Sequence, residues 1–293
     1  MRLVHFELLG NRQLGIRMPG GVVPLDALVS GLPNDLPSLL RQPNALGTIK
    51  QALGQAASAA IIDETKLRLL PPVANAGKVL CLGLNYEDHA TESKLARPDF
   101  PVVFLRANTS LVAHGQPIMR PLQSAALDFE GELVAVVGRT ARHVKRDEAL
   151  DHVAGYSIFN DGSIRDYQRR TPQWTVGKNF DGSGALGPDF ITSDELPAGA
   201  AGLAIETRLN GQVMQSANTR DMIFGVAETI ELLSACMTLE PGDVLVMGTP
   251  SGVGAARKPP VWMKPGDVVE VSIEGIGTLS NPIAAEDEKA RAA

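Results

Sequence analysis

The sequence has few cysteines, few aromatic residues and no excess of basic residues. Two cysteines among 293 residues exclude a disulfide-stapled scaffold and favour a reduced, cytoplasmic protein. A net charge of -6 and a pI near 5.4 exclude the clustered Lys and Arg that nucleic-acid binding requires. The first ten residues alternate as a strand does and are not typical of a signal peptide. No apolar run is long enough to span a membrane, so neither nucleic acid nor a membrane is an expected partner.

Three common catalytic signatures are also missing. The glycines of residues 248–254 follow a predicted strand, but no helical pattern comes after them, so neither a dinucleotide fingerprint nor a phosphate loop is indicated. No Gly-x-Ser-x-Gly elbow occurs, which argues against a Ser-His-Asp hydrolase. What remains is a set of carboxylates, one histidine on a predicted helix and one loop lysine.

The chain is long enough for one large domain with an accessory domain. Short strand patterns followed by helical ones predict a small N-terminal α+β domain at residues 1–70. Pro71-Pro72 opens a linker at residues 71–77, because proline fixes the backbone and removes a hydrogen-bond donor. The larger domain is predicted at residues 78–283, and residues 284–293 form a charged tail.

Strand patterns outnumber helical ones along the chain. The helical patterns are Thr48 to Ile62, Tyr86 to Leu95 and Ile223 to Met237, and the clearest turn is Asn210-Gly211, which suits a type I′ hairpin. Parallel α/β winding would need helices between most strands, and these are missing. The fold class is therefore predicted as mainly β with α (α+β), built as a mixed, mainly antiparallel β-sandwich roll.

The stretch from Asp128 to Val137 begins with carboxylates and continues as an apolar run. Side chains two apart share one face of a strand, so Asp128, Glu130 and Glu132 point the same way. The apolar run is typical of a strand buried on both faces, which predicts that the carboxylates lie at the rim of the core. Carboxylates facing one another repel, and a bound metal ion is the simplest relief. The alternative is a protruding strand end with solvated acids.

Four further residues carry related chemistry. Asp161 ends another predicted strand, and with the two glutamates of the acidic strand it offers hard oxygen ligands suited to Mg²⁺, Mn²⁺ or Ca²⁺. His89 and Glu92 lie three apart on a polar helical pattern and therefore share a face, and Lys178 lies in a loop that contains glycine. Taken singly, each has an ordinary explanation: Asp161 as a turn residue and the others as solvated surface residues.

These residues occur in an order that resembles the fumarylacetoacetate hydrolase family over nearly all of Lys78 to Asn281. The resemblance is carried by Gly83-Leu84-Asn85-Tyr86 with His89 and Glu92, Phe104-Leu105-Arg106, Asp128 to Leu133, Asn160-Asp161 with Arg165-Asp166 and Gln168, Gly177-Lys178, Asp221-Met222-Ile223-Phe224, Gly248 to Gly254, and Gly275-Ile276-Gly277-Thr278. Many stretches in one order are more specific than any single motif.

The resemblance implies a β-roll catalytic domain at residues 78–283, a small N-terminal domain and a homodimer. It implies that Mg²⁺ or Mn²⁺, with Ca²⁺ a further candidate, is held by two Glu and one Asp. The positions that match these ligands are Glu130, Glu132 and Asp161. His89 and Glu92 match the family's pair on a mobile lid helix, and the substrate-side residues of the family match Lys178, Gln168 and Thr249.

We therefore expect a metal-dependent hydrolase that cleaves a carbon-carbon bond of acylpyruvate-type 2-oxo acids, such as fumarylpyruvate-like substrates, in aromatic catabolism. The metal ion would act as a Lewis acid towards the departing enolate. His89, oriented by Glu92, would take a proton from the attacking water, and Lys178 would steady the enolate oxygen. The residues expected to hold the substrate acid are Arg106, Gln168 and Thr249.

Two alternatives stay open at this point. An isomerase, tautomerase or decarboxylase of 2-oxo or 2-hydroxy-dienoic acids would use the same enolate without attack by water. A noncatalytic β protein could bind Ca²⁺ through the acids and carry His89 on its surface. The second alternative would not require His89, Glu92 and Lys178 together.

Overall fold

The computed structural model of the chain describes residues 1–55, 61–92 and 97–287, and these ranges contain 18 strands and six α-helices. The strands are β1 (Arg2–Leu8), β2 (Asn11–Met18), β3 (Gly21–Pro24), β4 (Arg68–Leu69), β5 (Val79–Gly83), β6 (Val102–Leu105), β7 (Leu111–Val112), β8 (Ile118–Arg120), β9 (Leu127–Asp128), β10 (Gly131–Val137), β11 (Val153–Asn160), β12 (Ser163–Ile164), β13 (Gly184–Thr192), β14 (Ala204–Leu209), β15 (Gln212–Asn218), β16 (Val244–Val246), β17 (Val268–Ile273) and β18 (Gly277–Ala285). The helices are α1 (Leu36–Leu40), α2 (Ala45–Gln55), α3 (Glu87–Glu92), α4 (Arg165–Gln168), α5 (Thr175–Lys178) and α6 (Val226–Cys236).

The strands form two main sheets and one short pair. The larger sheet has eleven strands, nine of them in the order β3-β2-β1-β13-β11-β10-β16-β5-β6, with β4 beside β1 and β7 beside β13. The second sheet has the order β15-β14-β17-β18-β8, and β12 pairs with β9. Most pairs are antiparallel, while β16 with β5, β13 with β7 and β18 with β8 are parallel. The predicted fold class, mainly β with α in a mixed sheet architecture, is confirmed.

Strand β10 runs through the middle of the larger sheet and is buried along its whole length. Leu133 and Ala135 pack into a core that is shared with the second sheet through Val271. Val134 and Val136 pack into the core on the other side, which includes Leu3 of β1 and Leu36 and Leu39 of α1. The prediction of a strand buried on both faces is confirmed, and it places the larger sheet between the second sheet and the N-terminal helices.

The acidic stretch is not one continuous strand, contrary to the prediction. Asp128 pairs with Ser163 in the short sheet, and β10 begins only at Gly131. Between them the backbone of Glu130 bonds out of the ladder: its N–H donates to the side chain of Asn160 at 3.0 Å, and its carbonyl accepts from the N–H of Asp161 at 2.9 Å. These bonds interrupt the strand where the carboxylates stand.

Helix ends differ from the helical patterns. The pattern from Thr48 to Ile62 extends past α2: residues 56–60 lie outside the described ranges, and Ile62 pairs with Val22 as a β-bridge. Part of the Tyr86 to Leu95 pattern, residues 93–95, is likewise outside the described ranges. The third pattern begins at Ile223, whereas its helix, α6, begins only at Val226 and ends at Cys236.

Two further features concern the ends of the proposed domains. β1 pairs with β13, so the strands of residues 1–70 extend the sheet of the larger domain. β18 continues through Ala285 and pairs with β8, while residues 288–293 of the charged tail lie outside the described ranges.

The hairpin at Asn210-Gly211 is confirmed, with φ values of 52° and 78° that suit a type I′ turn. Among the described helices, none has the length and apolar character needed to cross a membrane.

Candidate active site

A cavity of about 590 Å³ opens where β10, β11 and helices α3 to α5 meet. The large sheet supplies its acidic floor, and the turn after Gly248 and the loop before α5 supply walls. Eight of the nine residues singled out from the sequence line this one cavity: His89, Glu92, Glu130, Glu132, Asp161, Gln168, Lys178 and Thr249.

The three carboxylates come from two neighbouring strands. Glu130 directly precedes β10, Glu132 is the second residue of β10, and Asp161 directly follows β11. The register pairs Gly131 with Asn160, which sets the three side chains beside one another. One carboxylate oxygen from each residue lies within 4.8 Å of the other two, and all three residues are buried. Three hard oxygen donors at this spacing are the kind of site that Mg²⁺ or Mn²⁺ occupies.

Lys178 and Arg165 balance part of this negative charge. The ammonium of Lys178 donates to both Glu130 and Asp161, and Arg165 donates to Oε1 of Glu130 at 2.6 Å. Burial by itself would raise the pKa of Glu130, but the charges of Arg165 and Lys178 outweigh burial and hold that pKa well below its usual range. Burial would lower the pKa of Lys178, yet the charges of Asp161 and Glu130 raise it. Lys178 is therefore a charged group in the cavity wall.

Glu132 has no ion pair within the described part of the chain. Its Oε2 accepts a hydrogen bond from the N–H of Gly248 at 2.5 Å. Burial and the negative charges of Asp161 and Glu130 raise the pKa of Glu132 well above its usual range. A divalent cation beside it would favour the ionised form, so the donor set fits Mg²⁺ or Mn²⁺ both by its oxygen chemistry and by its charge.

His89 and Glu92 face the carboxylates from α3. Nδ1 of His89 lies 3.4 Å from Oε2 of Glu92, as expected for side chains three apart on a helix. The two oxygens of Glu92 also accept from the N–H of Gly252, at 3.0 and 3.2 Å. His89 is only 7% exposed although its helix is polar, so the tertiary structure turns it into the cavity.

Gln168 and Thr249 lie on opposite walls. Oε1 of Gln168 accepts a hydrogen bond from Arg165 at 2.9 Å. The amide N–H groups of Gln168 have no partner among the described residues. The hydroxyl of Thr249 donates to the carbonyl of Gly131 at 3.0 Å and accepts from Gln215 at 2.8 Å. Gln168 therefore has donors left for a ligand, whereas Thr249 is already part of a bonded network.

Arg106 does not line the cavity. Its guanidinium donates to Asp161, to the carbonyl of Gly162 at 3.1 Å, and to the hydroxyls of Ser110 and Ser183 at 3.1 and 2.9 Å. The side chain is fully buried. This placement makes Arg106 a support for Asp161 rather than a group in contact with a substrate.

Arg165 also lines the cavity, although the sequence patterns suggested no role for it. Its guanidinium donates hydrogen bonds to Asp128 at 2.7 Å, to Glu130 and to Gln168. Asp128 in turn accepts from the N–H groups of Gly254 at 2.8 Å and Ala255 at 3.0 Å. The spacing of Arg165 and Gln168, three apart on one short helix, was the available signal.

An apolar wall closes one side of the cavity. The rings of Phe104 and Trp174 meet edge to face with their centroids 5.6 Å apart, and Nζ of Lys178 lies 4.8 Å from the centre of the Phe104 ring. A Cβ atom at Gly83 would lie 2.3 Å from Cζ3 of Trp174, so a glycine at this position gives the indole its place. Apolar side chains lower the local dielectric constant, which strengthens the electrostatic interactions beside them.

Comparison with known proteins identifies the family to which the chain is similar. The sequence profile described as "Fumarylacetoacetate (FAA) hydrolase C-terminal" matches residues 78–284. The Xenopus laevis protein named "Oxaloacetate tautomerase fahd2, mitochondrial" is 37% identical in an alignment of 290 positions that covers 97% of this chain and 90% of that protein. The similarity therefore extends over the N-terminal strands as well as the matched region.

Two solved structures are similar over 98% of this chain and 100% of their own. The 2-hydroxyhepta-2,4-diene-1,7-dioate isomerase from Mycobacterium marinum is 32% identical with a TM-score of 0.75. The maleylpyruvate hydrolase from Sphingobium sp. SYK-6, solved in complex with manganese(II) ion and pyruvate, is 26% identical with a TM-score of 0.81. An isomerase and a hydrolase thus share this architecture.

Proposed function

The chain belongs to the fumarylacetoacetate hydrolase family, and from this premise we propose that it is a divalent-metal-dependent tautomerase that interconverts the keto and enol forms of a short 2-oxo acid. Oxaloacetate is the substrate to test first, because the name of the Xenopus laevis relative includes it and the similarity to that relative covers nearly the whole chain. Tautomerisation thereby takes precedence over the carbon-carbon bond hydrolysis expected from the sequence.

The observation that carries the proposal is the meeting of His89 with three buried carboxylates in one cavity. Interconversion of keto and enol forms needs a group that moves a proton at carbon 3 and positive charge near the oxygen on carbon 2. Both requirements are met inside one cavity. A noncatalytic metal-binding protein would need the carboxylates alone.

His89 is the group placed to move the proton at carbon 3. Glu92 contacts Nδ1, which leaves Nε2 of the ring for the substrate. In the enol-to-keto direction, Nε2 of His89 gives its proton to carbon 3, and the oxygen on carbon 2 loses its proton to solvent water while the carbon-carbon double bond becomes a carbon-oxygen double bond. His89 then takes a proton back from that water, so the enzyme returns to its starting state. The reverse direction runs the same transfers backwards.

Glu130, Glu132 and Asp161 would hold Mg²⁺ or Mn²⁺. When bound, that ion supplies Lewis-acid charge for the negative charge that develops on the 2-oxo oxygen. Lys178 adds a second positive charge at the same floor, and Gln168 offers its amide N–H groups to the substrate acid. Arg106 and Arg165 keep Asp161 and Glu130 in place.

The direct experiment follows the ultraviolet absorbance of the enol of oxaloacetate in the presence of the full chain. We expect the enol to decay faster with enzyme and Mg²⁺ or Mn²⁺, and the acceleration to disappear after chelation. If the metal-loaded protein leaves the rate of enol decay at the buffer value, the tautomerase proposal is wrong.

Hydrolysis of acylpyruvates is the second candidate. It is favoured by the similarity to the maleylpyruvate hydrolase and by the His89–Glu92 pair, which could take a proton from water as well as from carbon. A panel of acylpyruvates, including fumarylpyruvate-like acids, assayed for pyruvate release tests it. Release of pyruvate without acceleration of enol decay would place hydrolysis first.

The expectations about assembly and location remain proposals. A homodimer follows from the family resemblance and is tested by light scattering of the purified chain. The cytoplasmic location was inferred from the scarcity of cysteine, whereas the Xenopus laevis relative is named as mitochondrial. Fractionation of cells that produce the tagged chain would separate the two locations.

A further inference from the structure

Helix α4 and the residue after it present three polar side chains to the cavity. Arg165, Gln168 and Arg169 line the cavity, and the N–H of Arg169 donates to the carbonyl of Arg165 at 3.2 Å. Positions i, i+3 and i+4 share one face of a helical turn, so these three side chains form one stripe.

The opposite face of the same turn is anchored in the protein. Asp166 accepts a hydrogen bond from the hydroxyl of Ser124 at 2.6 Å. The ring of Tyr167 packs edge to face on Phe180, and the guanidinium carbon of Arg170 lies 3.6 Å from the centre of the Tyr167 ring. The contacts of Asp166 with Ser124 and of Tyr167 with Phe180 hold the turn so that Arg169 stays on the cavity side, whereas Arg170 contacts only a ring of its own turn.

Arg169 differs from its neighbours in its partners. Arg165 is engaged with Asp128, Glu130 and Gln168. The guanidinium of Arg169, which is exposed, forms neither a hydrogen bond nor an ion pair with any residue of the described ranges. Arg169 therefore brings to the cavity a positive charge that no protein carboxylate neutralises.

The distance along the helix from Arg165 to Arg169 is similar to the length of a short diacid. Arg165 touches the carboxylate triad through Glu130, and Arg169 stands one helical turn further on, about 6 Å along the helix. The two carboxyl carbons of a four-carbon 2-oxo diacid are separated by three carbon-carbon bonds of about 1.5 Å each. A diacid that has one end at the triad and lies along this face of the helix can therefore bring its other carboxylate to Arg169.

We propose that Arg169 binds the second carboxylate of the substrate and so selects dianionic 2-oxo acids over monoanionic ones. The guanidinium presents two parallel N–H donors that match the two oxygens of a carboxylate. This inference rests on the proposed 2-oxo acid chemistry of the same cavity and adds the class of substrate: short 2-oxo dicarboxylates.

Calorimetric titration of the full, Mg²⁺-loaded chain tests the proposal without requiring turnover. The two probes are oxaloacetate and 2-oxobutyrate, which have four carbons each and differ in carrying a carboxylate or a methyl group at the far end. We expect the wild-type chain to bind oxaloacetate about tenfold more tightly, Arg169→Ala to remove this preference, and Arg169→Lys to keep part of it. Arg170→Ala is the matched control and keeps the preference.

The outcomes separate this inference from the proposed function. Equal affinity of the wild-type chain for both acids, an equal loss for both acids in Arg169→Ala, or the same loss in Arg170→Ala would each overturn the role of Arg169. Selective binding of oxaloacetate that depends on Arg169, without acceleration of enol decay, would support the inference and reject the tautomerase. Thermal unfolding of each variant confirms that the chain is folded.

Discussion

Asp128 accepts a hydrogen bond from Nε of Arg165 at 2.7 Å, although one residue ends β9 and the other begins α4. The same carboxylate accepts from the N–H groups of Gly254 and Ala255 on the far wall of the cavity. Asp128 thus ties two walls together without lining the cavity itself. Arg165, oriented by it, reaches Glu130.

Asp128→Asn should destabilise the chain, because it removes the charge that neutralises a buried guanidinium. Loss of one partner of a buried ion pair costs about 3 kcal/mol, and we expect a decrease of this order in the free energy of unfolding measured in urea. Asp166→Asn, on the exposed side of α4, is the control. It should change the free energy of unfolding by less than about 1 kcal/mol. Equal effects of the two substitutions would contradict the role assigned to Asp128.

Glu132→Gln and Glu130→Gln should both weaken Mn²⁺ binding, on the order of tenfold or more, since each removes one charged ligand oxygen. Their effects on metal-free stability should differ. Glu130 neutralises Arg165 and Lys178, so its loss should destabilise the chain by about 3 kcal/mol, whereas Glu132 has no ion pair in the described ranges and its loss should not destabilise it. Calorimetric titration with Mn²⁺ and thermal unfolding in chelator measure the two quantities. Normal Mn²⁺ affinity in either variant would refute its assignment as a ligand.

His89→Ala should lower kcat for enol decay on the order of a hundredfold, the usual scale for a proton-transferring side chain. Glu92→Gln should cause a smaller decrease, because Glu92 orients the ring and does not transfer the proton. Steady-state kinetics with oxaloacetate provide the measurement, and Mn²⁺ affinity should stay unchanged in both variants. Near-normal turnover in His89→Ala would show that His89 does not move the proton.

The segment from Tyr86 to Glu92 should gain protection from hydrogen exchange when ligand binds. The side chains of α3 reach the neighbouring loop through polar contacts, from the hydroxyl of Ser251 to Asp88 at 2.6 Å and from the N–H of Gly252 to Glu92. Such contacts give little local stability, so a ligand bound beneath the helix can add to it. Exchange followed by mass spectrometry, with and without Mg²⁺ and oxalate, tests this, with β10 as the protected reference. Unchanged exchange at α3 would argue against its action as a lid.

Folding stability should fall as the pH decreases through about 6.5, in part because of His5. Burial lowers the pKa of His5, whose Nδ1 lies 3.0 Å from the carbonyl of Pro71, and the smaller effects of Arg12 and Asp35 oppose each other. The unfolded chain takes up a proton near pH 6.5 while the folded chain stays neutral, so stability that is complete above this pH is lost below it. His5→Asn should flatten the dependence between pH 7.5 and 5.5 by less than about 1.4 kcal/mol per pH unit. Urea unfolding across this range, with His152→Asn as control, measures the effect; an unchanged slope would contradict it.

Local periodicity and turn chemistry were enough to predict several features of this protein. The unbroken apolar run after Glu132 predicted a strand buried on both faces, because side chains two apart share a face and both sets are apolar here. Asn210-Gly211 predicted its hairpin, because both residues tolerate a positive φ. The spacing of Glu130 and Glu132 and of His89 and Glu92 likewise placed each pair on one face. The grouping of these pairs with Lys178 came from the family resemblance, since no local rule joins distant segments.

The partners of these side chains depend on how distant segments pack and could not be predicted from local patterns. Arg106 and Arg165 are both arginines near predicted acids, yet one is enclosed behind Asp161 and the other lies in the cavity wall. The difference arises from where β6 and α4 pack against the larger sheet, which the period of neither segment encodes. The break before Gly131 has the same origin, because the backbone of Glu130 bonds to Asn160 at the end of β11 and to Asp161 after it only when the two strands have paired. Contacts of this kind depend on pairing between segments far apart in the chain, and for that reason they lie beyond local sequence patterns.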